Sequence, residues 1–350
     1  MPAAALLFAF LLSSSASVPA QPAPPSAPAN ESWRKPLANQ NQFPLALLFL
    51  SLEPTGTQVL PRGESVFTFD FSYSNTITIR DSPVENLVLD LESLGSVFRW
   101  EIGLGRGFQT GVSVPLYALH GGFLDGFISR FHEAFDLPNS VRRREPNGLF
   151  RYQYRRNGEV LLDRQEGGAA LGDVVLSVRR SLLASAQGEL LARAAVKLPT
   201  GSPRRASGSG AADLGFGIVA SRKAKRVGGY FNASYHLLGD PSEVPELRPR
   251  NYLSLSGAAD FPFRRTLAAV LQVDYLSPFL ESRIPVLDSG AFQLALGLRY
   301  HRSERFTFEW RFTEDLTKTS PDITFGFRIE MHPRRGKNGE GLPAQGEKKP

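Results

Sequence analysis

Apolar and polar residues alternate along most of this chain. In SVFTFDFSYSN, Phe67, Phe69, Phe71 and Tyr73 fall on one face, and Thr68, Asp70, Ser72 and Ser74 on the other. RFTFEWRFTED sets Phe306, Phe308, Trp310 and Phe312 against Thr307, Glu309, Arg311 and Thr313, and DITFGFRIEMH sets Phe325, Phe327 and Ile329 against Arg328 and Glu330. A period of two is that of a β-strand with unlike faces. The pattern predicts about fourteen strands between residues 65 and 332, or twelve if the weaker 158–164 segment does not span.

A soluble sandwich and a membrane barrel both alternate, so other features must separate them. Most segments here run ten to fourteen residues, whereas soluble strands cluster near ~5–6 and strands that cross a bilayer need ~9–11. The connections also alternate in length. Short ones at 105–107, 157–158, 183–186, 223–226, 262–265 and 302–303 are interleaved with long ones at 76–90, 118–147, 165–170, 200–210, 239–249, 278–288 and 315–320. Short periplasmic turns opposite long outer loops are what a bacterial outer-membrane barrel shows. The fold expected is all-β: a monomeric transmembrane antiparallel β-barrel over 65–332, located in the bacterial outer membrane.

Closure of such a sheet sorts its two faces. The apolar face meets lipid, and the polar face lines a lumen with Arg99, Glu101, Arg151, Arg155, Arg179, Arg193, Arg299, Glu309, Arg311, Arg328 and Glu330. Two readings of that lining stay open. It is a polar pore, mildly favouring anions because Arg leads, or it is a set of salt bridges filling a closed lumen.

Two stretches break the period. GGFLDGFISRFHEAFDLP (121–138) brings Phe123, Leu124, Phe127, Ile128, Phe131 and Phe135 to one side of a helix, with Asp125 and His132 also in the stretch. This short amphipathic helix belongs to the longest outer loop. Six large apolar side chains need cover, and the expectation is that they occlude the barrel mouth. FPLALLFLSL (43–52) is apolar without alternation. It is read as part of an N-terminal segment, 39–64, folded into the barrel as a plug from the periplasmic side, or else as an irregular strand or packing element.

Composition fills in the ends and narrows the chemistry. MPAAALLFAFLLSSSASVPA (1–20) reads as a secretory signal, 21–38 as a Pro/Ala-rich spacer, and 333–350 as a disordered basic tail. There is no cysteine, which excludes disulfides, thiolate metal sites and cysteine nucleophiles. The net charge is +6, but the arginines are scattered along strands rather than gathered on a helix, so nucleic acid is not an expected partner. The loop arginines 142–144, 204–205, 248 and 250 suit solvent or the phosphates of lipopolysaccharide. Only five histidines occur, without metal-ligand spacing, so neither metal nor cofactor is expected. No GxSxG motif is present; Ser129 beside His132 is the nearest approach to a nucleophile and base.

GGFLDGFISRFHEAFDLP resembles the signature loop of the bacterial domain-of-unknown-function family 3187. Asn39-Gln40-Asn41, Phe43-Pro44-Leu45 and Lys197-Leu198-Pro199-Thr200-Gly201 support the resemblance, which covers roughly 36–332. It implies an exported, outer-membrane β-barrel-like protein and brings no activity with it. The function expected is a channel or transporter for small hydrophobic or anionic solutes. The alternatives are a closed-lumen structural or adhesive outer-membrane protein and, further off, a lipid-modifying enzyme.

Overall fold

In the computed structural model, the described residues are 32–124, 126, 130, 148–185, 188–241, 243–317 and 319–333. The signal, most of the spacer, and the tail from 334 on lie outside them. So do Asp125, Phe127, Ile128, Ser129, Phe131, His132 and Phe135, and with them most of the expected loop helix; Gly126 and Arg130 are helical.

The strands are β1 (Ser65–Asp81), β2 (Glu85–Gly105), β3 (Phe108–His120), β4 (Arg151–Arg156), β5 (Glu159–Arg164), β6 (Gly168–Leu171), β7 (Val175–Ser185) and β8 (Gly188–Lys197). They continue as β9 (Asp213–Lys223), β10 (Gly228–Leu237), β11 (Tyr252–Arg264), β12 (Leu267–Leu276), β13 (Ala291–Ser303), β14 (Phe306–Asp315) and β15 (Ile323–Met331). Each of β1–β3 and β7–β15 pairs antiparallel with its neighbour, and β1 pairs with β15 from Phe67↔Met331 to Asn75↔Ile323. The sheet is therefore a closed barrel of twelve strands, the lower of the two counts the pattern allowed. No wall strand is left with an open edge.

The other three strands are short additions at the long-loop end of that wall. β4 and β5 form a hairpin whose strands have six residues each, too short to cross a bilayer. β4 pairs with Glu85–Asp90, the part of β2 that runs beyond its pairing with β3. The stretch 76–90, expected as a loop, is instead a continuation of the β1–β2 hairpin, paired from Thr76↔Leu91 to Asp81↔Asn86. β6 pairs with the end of β3.

Burial is inverted relative to a soluble domain. Phe69, Phe71, Phe98, Trp100, Phe231, Leu271, Phe292, Leu296, Leu298, Trp310 and Phe325 are exposed on the outer surface. Asp70, Gln109, Arg193, Lys197, Asp213, Asp260, Asp274, Arg299, Glu309, Arg311, Arg328 and Glu330 are buried inside. Among the described residues, no helix is long and apolar enough to cross a membrane, which says nothing about strands.

Chain also fills the interior. Residues 33–60 are in contact with inward side chains of nearly every wall strand. At the short-turn end, Arg34 reaches the Ala224 carbonyl and Leu60 donates to Gln109. Phe43, Leu45, Leu48 and Phe49 join a hydrophobic cluster at the long-loop end with Leu87, Leu89, Tyr152, Tyr154, Leu247, Phe279, Ile284 and Leu287. The segment thus runs up the barrel, turns in the 3-10 helix Ala46–Leu48, and returns to enter β1. Trp33–Ala38, placed by composition in the spacer, is buried chain: Trp33 is 4% exposed and Leu37 is fully covered.

Candidate functional site: the ionic barrel interior

Strand register explains how charges far apart in sequence meet. Asp70 lies opposite Arg328, Arg328 opposite Glu309, and Glu309 opposite Arg299, on four successive strands. Opposite charges facing each other across strands attract, and the row alternates sign around the wall. Arg311 donates to both oxygens of Asp70 at 3.0 and 2.6 Å and to Ser72 at 2.7 Å. Arg328 donates to the same Asp70 at 2.5 Å and to both Glu53 oxygens at 3.0 Å. Arg299 holds Glu309 and caps the Trp33, Lys35 and Pro36 carbonyls.

Most of the remaining polar wall groups hold the backbone of residues 33–60. Arg193 donates to the Glu53 carbonyl at 2.5 Å, and Arg179 to the Gly56 and Gln58 carbonyls at 2.6 and 3.1 Å. Lys197 reaches the Leu48 carbonyl at 3.0 Å while pairing with Asp173 at 2.5 Å and Asp213 at 3.2 Å. In the other direction, the amides of Ala38, Leu50, Leu52 and Thr55 donate to Glu309, Asp213, His236 and Asn232. A non-strand chain inside a barrel has no ladder of its own, so its backbone groups need such partners.

Glu53 is the carboxylate this segment sends among the arginines. Arg99 donates to it at 2.5 Å from β2, and Arg328 from β15, the two strands that flank β1. Burial alone would raise the Glu53 carboxyl, but Arg328 and Arg99 outweigh that and hold it well below the usual carboxylate range. Nearby, Arg34 pairs with Asp260 at 2.7 Å, and Lys35 with Glu330 at 2.6 Å.

Nine of the eleven charges expected in the lumen are on this inner face: Arg99, Glu101, Arg179, Arg193, Arg299, Glu309, Arg311, Arg328 and Glu330. Arg151 and Arg155 are not; they are exposed on the β4–β5 hairpin, at the long-loop end of the wall. Their segment alternates properly but is too short to span. Of the expected loop helix, Leu124 is buried beside Ile323, while Phe123 is 76% exposed, its ring tilted against Tyr73 with centroids 5.6 Å apart. Leu124 also donates its amide to Glu92, which accepts from the Tyr73 hydroxyl. Glu53, Arg34 and Lys35 sit where no period exists, so alternation did not reveal them. Pro54 directly after Glu53 was the available cue, since X-Pro favours extended backbone.

A closed barrel, apolar outside and ionic within, defines the class of this molecule. The chain belongs to the family described as Protein of unknown function (DUF3187), whose model matches residues 12–331. No curated protein matches the sequence. Among solved structures, the COG4313 outer membrane channel from Pseudomonas putida F1 has a similar barrel fold. It is 11% identical, with a TM-score of 0.54, over 81% of this chain and 100% of that one. The NanC porin is 9% identical, with a TM-score of 0.42, over 75% of this chain and 97% of that one. The toluene transporter TodX of P. putida is 10% identical, with a TM-score of 0.34, over 78% and 89%.

Proposed function

We propose that this protein is an outer-membrane channel for small anionic solutes whose lumen its own N-terminal segment, residues 33–60, plugs in the state described. The carrying observation is the inverted burial of a closed twelve-stranded barrel, with aromatics outward and an arginine-rich wall inward. That distribution suits lipid outside and a polar path inside. Residues 1–20 then serve as the export signal, and lipopolysaccharide and lipid are the surroundings. The wall itself is polar, which favours anionic over hydrophobic solutes. The arrangement of the segment also favours the plug: its backbone is held mostly by side-chain hydrogen bonds and ion pairs, which water or a solute can replace.

The same filling suits a second reading, a closed barrel with a structural role, and one experiment separates the two. The chain has no cysteine, and Thr57 Oγ1 lies 2.7 Å from Ser221 Oγ on β9. T57C/S221C therefore offers a single cross-link within disulfide reach. In liposome-swelling assays, the reduced double variant is expected to admit small anions at the wild-type rate, and the oxidised form to admit none. Equal, zero flux in the wild type and in both forms would favour the structural reading.

A further inference from the structure

Glu53 has a setting unlike that of the other interior carboxylates. Asp70, Glu309, Glu330 and Asp260 belong to wall strands and stay in place whatever the segment does. Glu53 is carried in by the segment and reaches cations on several wall strands. Arg99 on β2 and Arg328 on β15 bind its carboxylate, Arg193 on β8 binds its own carbonyl, and Arg179 on β7 binds the carbonyls that follow. The nearest wall acids are already engaged. Asp70 accepts from Arg311 and Arg328, and Glu101 from Gln109 at 2.8 Å and Arg179 at 3.5 Å. Without Glu53, the guanidiniums of Arg99 and Arg193 would face the lumen with no wall carboxylate bonded to them, apart from what the segment supplies.

We infer that Arg99 and Arg328, flanked by Arg193 and Arg179, form a carboxylate-binding site in the barrel wall, and that Glu53 is its built-in occupant. The ligand class is small carboxylates, whose two oxygens match the paired guanidinium donors that Glu53 satisfies. A solute carboxylate entering the barrel competes with Glu53 for these donors, and its binding releases the middle of the segment. This inference rests on the channel reading: the site is a station on the proposed path, and Glu53 ties the closed state to it. A ligand can shift the segment only by binding the released state better than the seated one.

Chemical rescue tests the site without needing any flux. E53A removes the occupant and leaves the arginines in place. With purified full chain in detergent, the thermal midpoint of E53A is expected to lie below wild type and to rise saturably with sodium formate or acetate. Sodium chloride at matched ionic strength should raise it far less, and wild type, whose site Glu53 already fills, should distinguish the salts less than E53A does. E53A/R99L is expected to lose the rescue. If E53A folds only when refolded in formate, that is the same result in its strongest form. Equal responses to formate and chloride, a rescue that survives R99L, or no recovery of folding in either salt overturns the proposal. Bilayer recordings of the same proteins separate the two ideas. Rescue without conductance in any form sinks the channel reading and leaves the site; conductance without rescue sinks the site and leaves the channel.

Discussion

Asp70 accepts from two arginines at once, and all three side chains are buried. Truncating one member of such a group strands the others, which costs more than the group contributes as a whole. D70N is therefore expected to destabilise the folded barrel by about 3–5 kcal/mol, read as earlier loss of compact electrophoretic mobility on heating. The Arg204–Glu243 pair is the contrast: its side chains are 82% and 44% exposed, so R204A should move stability by no more than about 0.5 kcal/mol. Glu53 supports a pH prediction. Its folded-state value is depressed by Arg328 and Arg99 against the effect of burial. Its contribution is then complete above the unfolded value of about 4.3 and falls away as pH drops through the depressed folded one. The stability gap between wild type and E53Q should stay constant from pH 7 to 5 and narrow only below about pH 4. A gap that closes between pH 7 and 5 would mean the carboxylate is not held by its arginines. At this scale the sequence was informative wherever strands span. Strict alternation identified Arg299, Arg311 and Arg328 as inward, and the same rule misassigned Arg151 and Arg155 because a strand of six residues alternates too.

Elements are where the pattern lost most. Ladder pairing is local enough to be visible as period two, so the wall strands could be read one by one. The β1–β2 extension could not, because TITIRDSPVENLVLD carries turn residues that mimic a loop although the pairing runs on to Asp81↔Asn86. Residues 33–60 could not either. Their partners are set by barrel closure, as when Arg34 meets Asp260 across 226 positions, and a segment wrapped on all sides needs no periodicity. Glycine shows the fit: a Cβ at Gly103 would collide with the Leu60 carbonyl. The apolar run that had no period, Phe43–Leu50, anchors the turn of the segment against the long-loop cluster. F43A removes a fully buried ring and should cost about 3–5 kcal/mol in the seated state. Because the wall does not depend on that ring, limited proteolysis within 40–60 should accelerate before the barrel itself melts.

At the scale of the whole molecule, the twelve-stranded wall and the segment inside it are separable in their chemistry. The wall satisfies its own backbone by closure and presents an apolar surface outward. The segment satisfies much of its backbone through wall side chains. A barrel that already closes has no need of a filled centre to pair its strands; on the proposed reading, the filling controls a path. The outward face carries its own expectation: W310R, midway along β14, should destabilise the membrane-inserted barrel by about 2–4 kcal/mol, measured by urea titration in lipid vesicles. The central claim is that residues 33–60 close a solute path, and single-channel recording in planar bilayers tests it most directly. A chain lacking residues 33–58 should show a steady, ohmic, anion-favouring conductance many times that of the intact protein. Unchanged conductance, or silence from a properly folded deletion variant, would contradict it.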